Sequence, residues 1–313
     1  MSVGVLFPGQ GSQHVGMGSD LFDARPDLLG PAADEVLGFS LREMCLESSE
    51  EDLTRTEHAQ PALFALSYAL WEQLDAEAGV SPTGAAGHSL GEYTALAAAG
   101  VLEYQAALAV VAKRGRAMAA AAGLAPSGMA ALLGADQELA ERVCQESRAH
   151  GGTLQVANIN APGQVVVAGS ISDIDWLVAN SAEAGVRRVI PLKVSGAFHS
   201  SFMAPAASEL VTALEPVQVD EPRFPVWANT TARPHQKDAV KELLARQVVA
   251  PVRFSESLEQ MAAAGIDVFI HVGPGDVTGG LARKTVPGAT VLSVSSIADI
   301  GNAREAIGTM GPA

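Results

Sequence analysis

Short apolar runs alternate along the chain with longer stretches whose apolar residues recur at helical spacing. Val3–Phe7 is a five-residue apolar run that stops at Pro8-Gly9, which predicts a buried first strand. Gln60–Ala78 carries Leu63, Leu66, Leu70 and Leu74 on a helical period. Pro61 at its start and Gly79 after its end mark the boundaries of a helix. Tyr104–Ala122 is a second long helical pattern, closed by Gly123. Val165–Ala168 and Val186–Val194 read as strands, with a helical Asp173–Ala184 between them. Asp267–Val272 is a further apolar run, ended by Gly273-Pro274-Gly275, and Val291–Val294 is a last short strand. Strands alternating with helices in this way predict an α/β architecture with a mostly parallel sheet.

Two seams interrupt the alternation, at Ala125-Pro126-Ser127-Gly128 and at Ser195-Gly196. The 70 or so residues between them carry their own strand–helix–strand–helix–strand rhythm. The expected organisation is therefore discontinuous. Residues 1–125 and 196–313 form a large catalytic domain, and 126–195 form a small inserted subdomain. No internal repeat or low-complexity tract is evident.

Composition narrows the function classes. A formal net charge of −15 over 313 residues disfavours nucleic-acid binding. The two cysteines, Cys45 and Cys144, show no metal or redox spacing and read as buried free thiols of a reducing compartment. No signal peptide precedes the first apolar run, and no apolar stretch reaches membrane-spanning length without a charge or breaker. A cytoplasmic monomer with no membrane contact is expected.

The strongest chemical signal is Gly87-His88-Ser89-Leu90-Gly91-Glu92-Tyr93. Gly-x-Ser-x-Gly places a serine on a tight strand-to-helix turn, where flanking side chains would collide and the helix-start N–H groups can face an oxyanion. The small-residue run Thr83–Ala86 precedes it, and a helical Glu92–Ala99 follows and stops at Gly100. The pentapeptide by itself is equally compatible with an ordinary serine at a helix N-terminus. The heptapeptide is more specific, and Phe7-Pro8-Gly9-Gln10-Gly11-Ser12-Gln13 after the first strand adds to it.

Together, the FPGQGSQ loop and GHSLGEY elbow resemble the malonyl-CoA:acyl carrier protein transacylases and the related acyltransferase domains of polyketide synthases. The resemblance extends over nearly the whole chain. It implies a large α/β-hydrolase-like domain with a parallel sheet, carrying a small inserted ferredoxin-like subdomain. It also implies a Ser89 ester as intermediate. Of seven histidines, His199 in Ser195-Gly196-Ala197-Phe198-His199-Ser200 matches the family's general base. His14, His58, His150 and His235 read as solvated, His271 as a core histidine, and His88 as turned away from the nucleophile. The family orients its histidine through a backbone carbonyl rather than an acid, which matches Gln247 in Arg246-Gln247. Gln247 is then expected to act through its main chain.

Lys113-Arg114-Gly115-Arg116 would ordinarily be a solvated basic helix face. Arg114, however, sits 25 residues after Ser89, where the family carries an arginine for the substrate carboxylate. The resemblance further implies oxyanion donors at Gln10 and Leu90, and substrate contacts from Gln10, Asn160 and Phe198. Phe198 before the histidine goes with malonyl over methylmalonyl groups, its ring crowding the α-carbon. Leu90 points the same way. In His271-Val272-Gly273-Pro274-Gly275-Asp276, aspartate stands where the family often has lysine, which weakens any phosphate role for that loop.

The implied activity is transfer of malonyl from malonyl-CoA to the phosphopantetheine thiol of an acyl carrier protein, for fatty-acid or polyketide synthesis. Neither a metal nor a redox cofactor is required. Arg187, Arg188, Lys193, Arg283 and Lys284 are the candidates for docking an acidic carrier protein. Three alternatives stay open at this point: a branched-malonyl transferase of the same family, a serine thioesterase or esterase of the α/β-hydrolase type, and a non-catalytic carrier-docking module.

Overall fold

The computed structural model describes residues 2–309. Five parallel strands build the first sheet: β1 Val3–Phe7, β2 Pro82–Gly87, β7 Val226–Trp227, β8 Val268–Val272 and β9 Thr290–Val294. Their order is β7-β2-β1-β8-β9, and every pairing is parallel. Helices cover this sheet, so β1 and β8 are buried along their whole length, as their unbroken apolar runs require. The long helix Thr56–Ala78 crosses the core, where Phe7 meets Trp71 edge-on at 6.3 Å between ring centroids.

The second sheet is antiparallel and comes from β3 Ser127–Leu133, β4 Gln155–Ala161, β5 Gln164–Ser170 and β6 Arg188–Pro191. Helices Gln137–Ala149 and Ile171–Ala179 complete a β-α-β-β-α-β unit with sheet order β4-β5-β3-β6, the ferredoxin-like arrangement. The apolar rhythm of the sequence lacks one strand of this unit. β4 is broken by Asn158 and Asn160, and it is joined to β5 by a two-residue turn, so the hairpin reads as one irregular segment. Its helix is also shorter than the helical spacing predicts, ending at Ala179.

The helix through Pro61 begins at Thr56, five residues before the proline that was expected to open it. Pro61 is the sixth helical residue, so it loses the bond to the Glu57 carbonyl and crowds it, a cost that the burial of the helix's apolar residues offsets. The Tyr104–Ala122 helix has the predicted bounds. Its Glu103 side chain accepts from the Ala106 N–H at 2.8 Å, closing the first turn. β4 is tied to the segment that follows the helix Val240–Gln247 by Ile159 N–H to the Val252 carbonyl (2.8 Å) and Val252 N–H to the Ala157 carbonyl (2.9 Å). Among the described residues no helix is long and apolar enough to cross a membrane.

The turn after β2 is the tightest approach in the molecule. A Cβ on Gly87 would lie 1.9 Å from the Gly91 carbonyl carbon, and one on Gly91 would lie 2.4 Å from the Phe7 carbonyl oxygen. Both obstacles are backbone and cannot swing aside. Gly91→Ala is therefore expected to cost about 2 kcal/mol or more. Thermal or denaturant unfolding of the purified variant measures this, and an unchanged midpoint would mean that β1 and the elbow separate freely.

Candidate active site

Ser89 lies between the end of β2 and the helix Gly91–Ala98. Its φ is +51°, a left-handed conformation that a non-glycine residue adopts only when its surroundings impose it. Gly87 and Gly91 make the turn possible, and Asn229 locks it. The Asn229 Oδ1 accepts from the Ser89 N–H at 2.8 Å, and its Nδ2 donates to the Gly87 carbonyl at 2.7 Å. The positive end of the following helix thus points at the serine. The N–H groups of Leu90 and Gln10 have no hydrogen-bond partner among the described residues.

His199 also has a positive φ, +57°, and is buried. Its Nδ1 lies 2.8 Å from the main-chain carbonyl oxygen of Gln247. That oxygen can only accept, so Nδ1 carries the proton and Nε2 is left as an acceptor. Nε2 lies 2.8 Å from the Ser89 Oγ, which donates to it. Gln247 ends the helix Val240–Gln247, where carbonyls have no intrahelical partner, so its oxygen is available to the imidazole. No carboxyl group hydrogen-bonds His199 among the described residues, unlike the triad of a serine esterase. Burial, with the Arg114 charge adding to it, pushes the His199 pKa down to about 3.

Arg114 projects from the helix Tyr104–Ala122 into the interior and is fully buried, while Lys113 and Arg116 on either side of Gly115 stay exposed. Its Nη2 donates to the Ser89 Oγ at 2.9 Å and to the Gln247 Oε1 at 2.8 Å; its Nη1 donates to the Gln60 Oε1 at 2.6 Å. Its guanidinium carbon sits 5.6 Å from the centre of the Tyr93 ring. All its hydrogen-bond acceptors are neutral groups, and it forms no ion pair among the described residues. A buried cation with only neutral partners is a strong attractor for an anion.

A cavity of about 230 Å³ opens onto Ser89 and His199. Gln10, Phe198 and Asn160 line it, with apolar wall from Met118 on the helix Tyr104–Ala122 and from Met129 and Val166 on the antiparallel sheet. The Gln10 side chain donates to the Thr56 Oγ1 at 3.3 Å. His88 does not bond Ser89. Its Nε2 donates across the cleft to the Asn160 Oδ1 at 2.7 Å.

Several groups at this site escaped the sequence reading. His235, expected to be solvated, is buried with its Nε2 2.6 Å from the Glu92 Oε1. It sits in a loop whose backbone folds back on β7, so a polar sequence setting concealed a core position. Glu92 is fully buried and accepts from the Asn229 N–H (3.0 Å) and the Gln247 Nε2 (2.6 Å) at its Oε2. The Gln247 side chain, expected to be secondary to its main chain, bonds Arg114, Glu92 and the Ser89 carbonyl. Gln60 and Asn229 carried no signal beyond being amides near apolar runs. His271 is a satisfied core histidine, bonded to Thr278 and the Gly273 carbonyl. Asp276 after it is ion-paired with Arg283 at 2.7 Å.

The comparisons agree with this geometry. Residues 5–305 match the acyl transferase domain family. The chain is 40% identical over 296 residues to the malonyl CoA-acyl carrier protein transacylase of Bacillus subtilis, covering 94% of this chain and 93% of that one. The chain belongs to the malonyl-CoA:acyl carrier protein transacylase family. Among solved transacylases, the Streptococcus pneumoniae enzyme superposes with a TM-score of 0.91 at 40% identity, covering 97% of this chain and 100% of that one. A malonyl-transacylase in complex with its type II polyketide synthase acyl-carrier protein gives 0.92 at 35% identity, covering 98% and 100%. In the transacylase fold seen here, Ser89 and the buried Arg114 lie on the first sheet's side of the cleft, and Asn160 on the second sheet.

The burial of His199 carries a pH dependence for any acyl transfer in which it acts as base to Ser89. In that role the neutral imidazole is the acting form, and its pKa is lowered well below the ordinary 6.5. Acylation by malonyl-CoA is therefore expected to stay level from pH 8 to about 5 and to fall only below that. Rapid-quench rates across that range check it; an acid limb near 6.5 would contradict a buried, Arg114-repelled base.

Proposed function

We propose that Ser89, His199, Arg114 and the N–H groups of Gln10 and Leu90 carry out the two half-reactions of malonyl transfer, from coenzyme A to an acyl carrier protein. The chain is an acyl-carrier-protein S-malonyltransferase by its family. The observation that carries the residue roles is the Ser89 hydroxyl, held at 2.8 Å from the His199 Nε2 and 2.9 Å from the Arg114 Nη2.

In the first half-reaction the Ser89 proton passes to the His199 Nε2 as Oγ attacks the thioester carbonyl. The Gln10 and Leu90 N–H groups receive the oxyanion, each worth on the order of 3 kcal/mol. The C–S bond breaks, and the departing coenzyme A sulfur takes the proton from Nε2. Esterification leaves Oγ a poorer partner for Arg114, whose Nη2 turns to the malonyl carboxylate. In the second half-reaction the phosphopantetheine thiol gives its proton to Nε2 and attacks the ester. The Ser89 oxygen leaves and recovers that proton. Phe198 crowds the malonyl α-carbon, and Asn160 bounds the pocket opposite the nucleophile.

Arg114 discriminates by what it lacks. A malonyl carboxylate supplies the anion its buried charge needs; an acetyl group leaves that charge with neutral partners only. Arg114→Ala is expected to lower Ser89 loading from malonyl-CoA at least a hundredfold while leaving loading from acetyl-CoA within a few-fold, the cost of one buried charge-assisted contact. Intact-protein mass spectrometry over time reads both. Equal loss with the two thioesters would remove the carboxylate role.

For the carrier protein, Arg187, Arg188 and Lys193 are exposed and form no ion pair among the described residues, and Lys193 lines the cavity, whereas Arg283 is already neutralised by Asp276. The docking surface proposed is therefore the β6 side of the cleft mouth. An Arg187→Ala/Arg188→Ala double variant should load malonyl normally and transfer it to carrier protein several-fold more slowly, with the difference vanishing at high salt. Unchanged transfer at low salt would move the docking surface elsewhere.

A further inference from the structure

Behind Ser89 lies a buried polar chain that the transfer mechanism does not use. Glu92 lies one helical turn after the nucleophile, and neither it nor His235 reaches the cavity. The Glu92 Oε2 accepts from the Asn229 main-chain N–H, which can only donate, so this oxygen is fixed as an acceptor whatever the tautomer of His235. The second donor to the same oxygen is the Gln247 Nε2, at 2.6 Å. Nε2 also donates to the Ser89 carbonyl at 2.9 Å, and the other end of the amide, Oε1, accepts from the Arg114 Nη2 at 2.8 Å. Three neighbours of different chemistry thus demand one orientation of the Gln247 amide: nitrogen towards Glu92 and Ser89, oxygen towards Arg114.

We propose that Glu92, held by His235, is the positioning residue that sets the Gln247 amide orientation and through it aims the Arg114 guanidinium at the acyl group on Ser89. A flipped amide would point its NH2 group at Arg114, two donors facing each other, and would drive the guanidinium off its line to Oγ. His199 is held by the main-chain carbonyl of Gln247, a different atom, so carboxylate recognition and base orientation separate at this residue. Glu92 therefore controls selectivity for a carboxylated acyl group more than the chemistry of acyl transfer. The proposal rests on the Arg114 role above.

Glu92→Leu removes the acceptor at similar size, so the Gln247 nitrogen loses the partner that fixes its direction. The ratio of malonyl to acetyl loading on Ser89, from mass-spectrometric time courses, is expected to fall roughly tenfold, as for loss of one hydrogen bond to a charged group. Gln247→Met, which keeps the main-chain carbonyl but removes the amide, is expected to lower the same ratio and serves if Glu92→Leu does not fold. In an Arg114→Ala background, Glu92→Leu should change the ratio no further. A purely structural Glu92 would instead lower both loadings alike. An unchanged ratio in either folded variant, or a full further loss without Arg114, overturns the relay. Arg114→Ala assayed alongside separates the cases: if it too leaves the ratio unchanged, the carboxylate role of Arg114 itself has failed.

Discussion

Everything at this site depends on how Gln247 is divided between two tasks. Its carbonyl oxygen fixes the tautomer of His199, and its side-chain amide holds Arg114. A helix end supplies the first, because terminal carbonyls lack partners; a buried acid on the neighbouring helix steadies the second. Hydrolases of the serine type put a carboxyl group directly against the imidazole. Here the buried acid stands one residue further back, behind the amide. That displacement leaves the cavity free of fixed negative charge next to Ser89, where a substrate carboxylate has to lie.

The two sheets contribute unequally to that arrangement. The parallel sheet brings β2 and its elbow to the Gln10 loop after β1, so Ser89 and the unpaired N–H groups of Gln10 and Leu90 come from adjacent strand ends. The antiparallel sheet supplies the opposite wall, with Asn160 reaching back to His88. It is bonded along its backbone to Val252, five residues after Gln247. The wall that bounds the acyl group and the segment that orients the base are thus joined by backbone hydrogen bonds, which fix their separation more firmly than side-chain contacts would.

Much of this was legible in the sequence. The buried parallel strands read as plain apolar runs, and the elbow and the histidine segment stood out as residue patterns tied to backbone geometry. What stayed hidden depends on long-range contacts. Glu92 looked like the polar first turn of a helix, and His235 like a loop histidine, because burial of a polar residue leaves no local trace when its partner lies 143 positions away. Pro61 was a misleading punctuation mark, since the buried helix runs through it at the expense of one backbone bond rather than starting at it. Asn158 and Asn160 broke the alternation that would have revealed β4, and both line the cavity.

The left-handed backbone at Ser89 and His199 sets fitness for folding against fitness for reaction. Each of these conformations costs on the order of 1–2 kcal/mol for a residue with a Cβ, and neighbouring contacts must offset it. Glycine at either position would relax the chain and leave nothing to react. A stabilising substitution at either position would therefore trade directly against the chemistry proposed for the site.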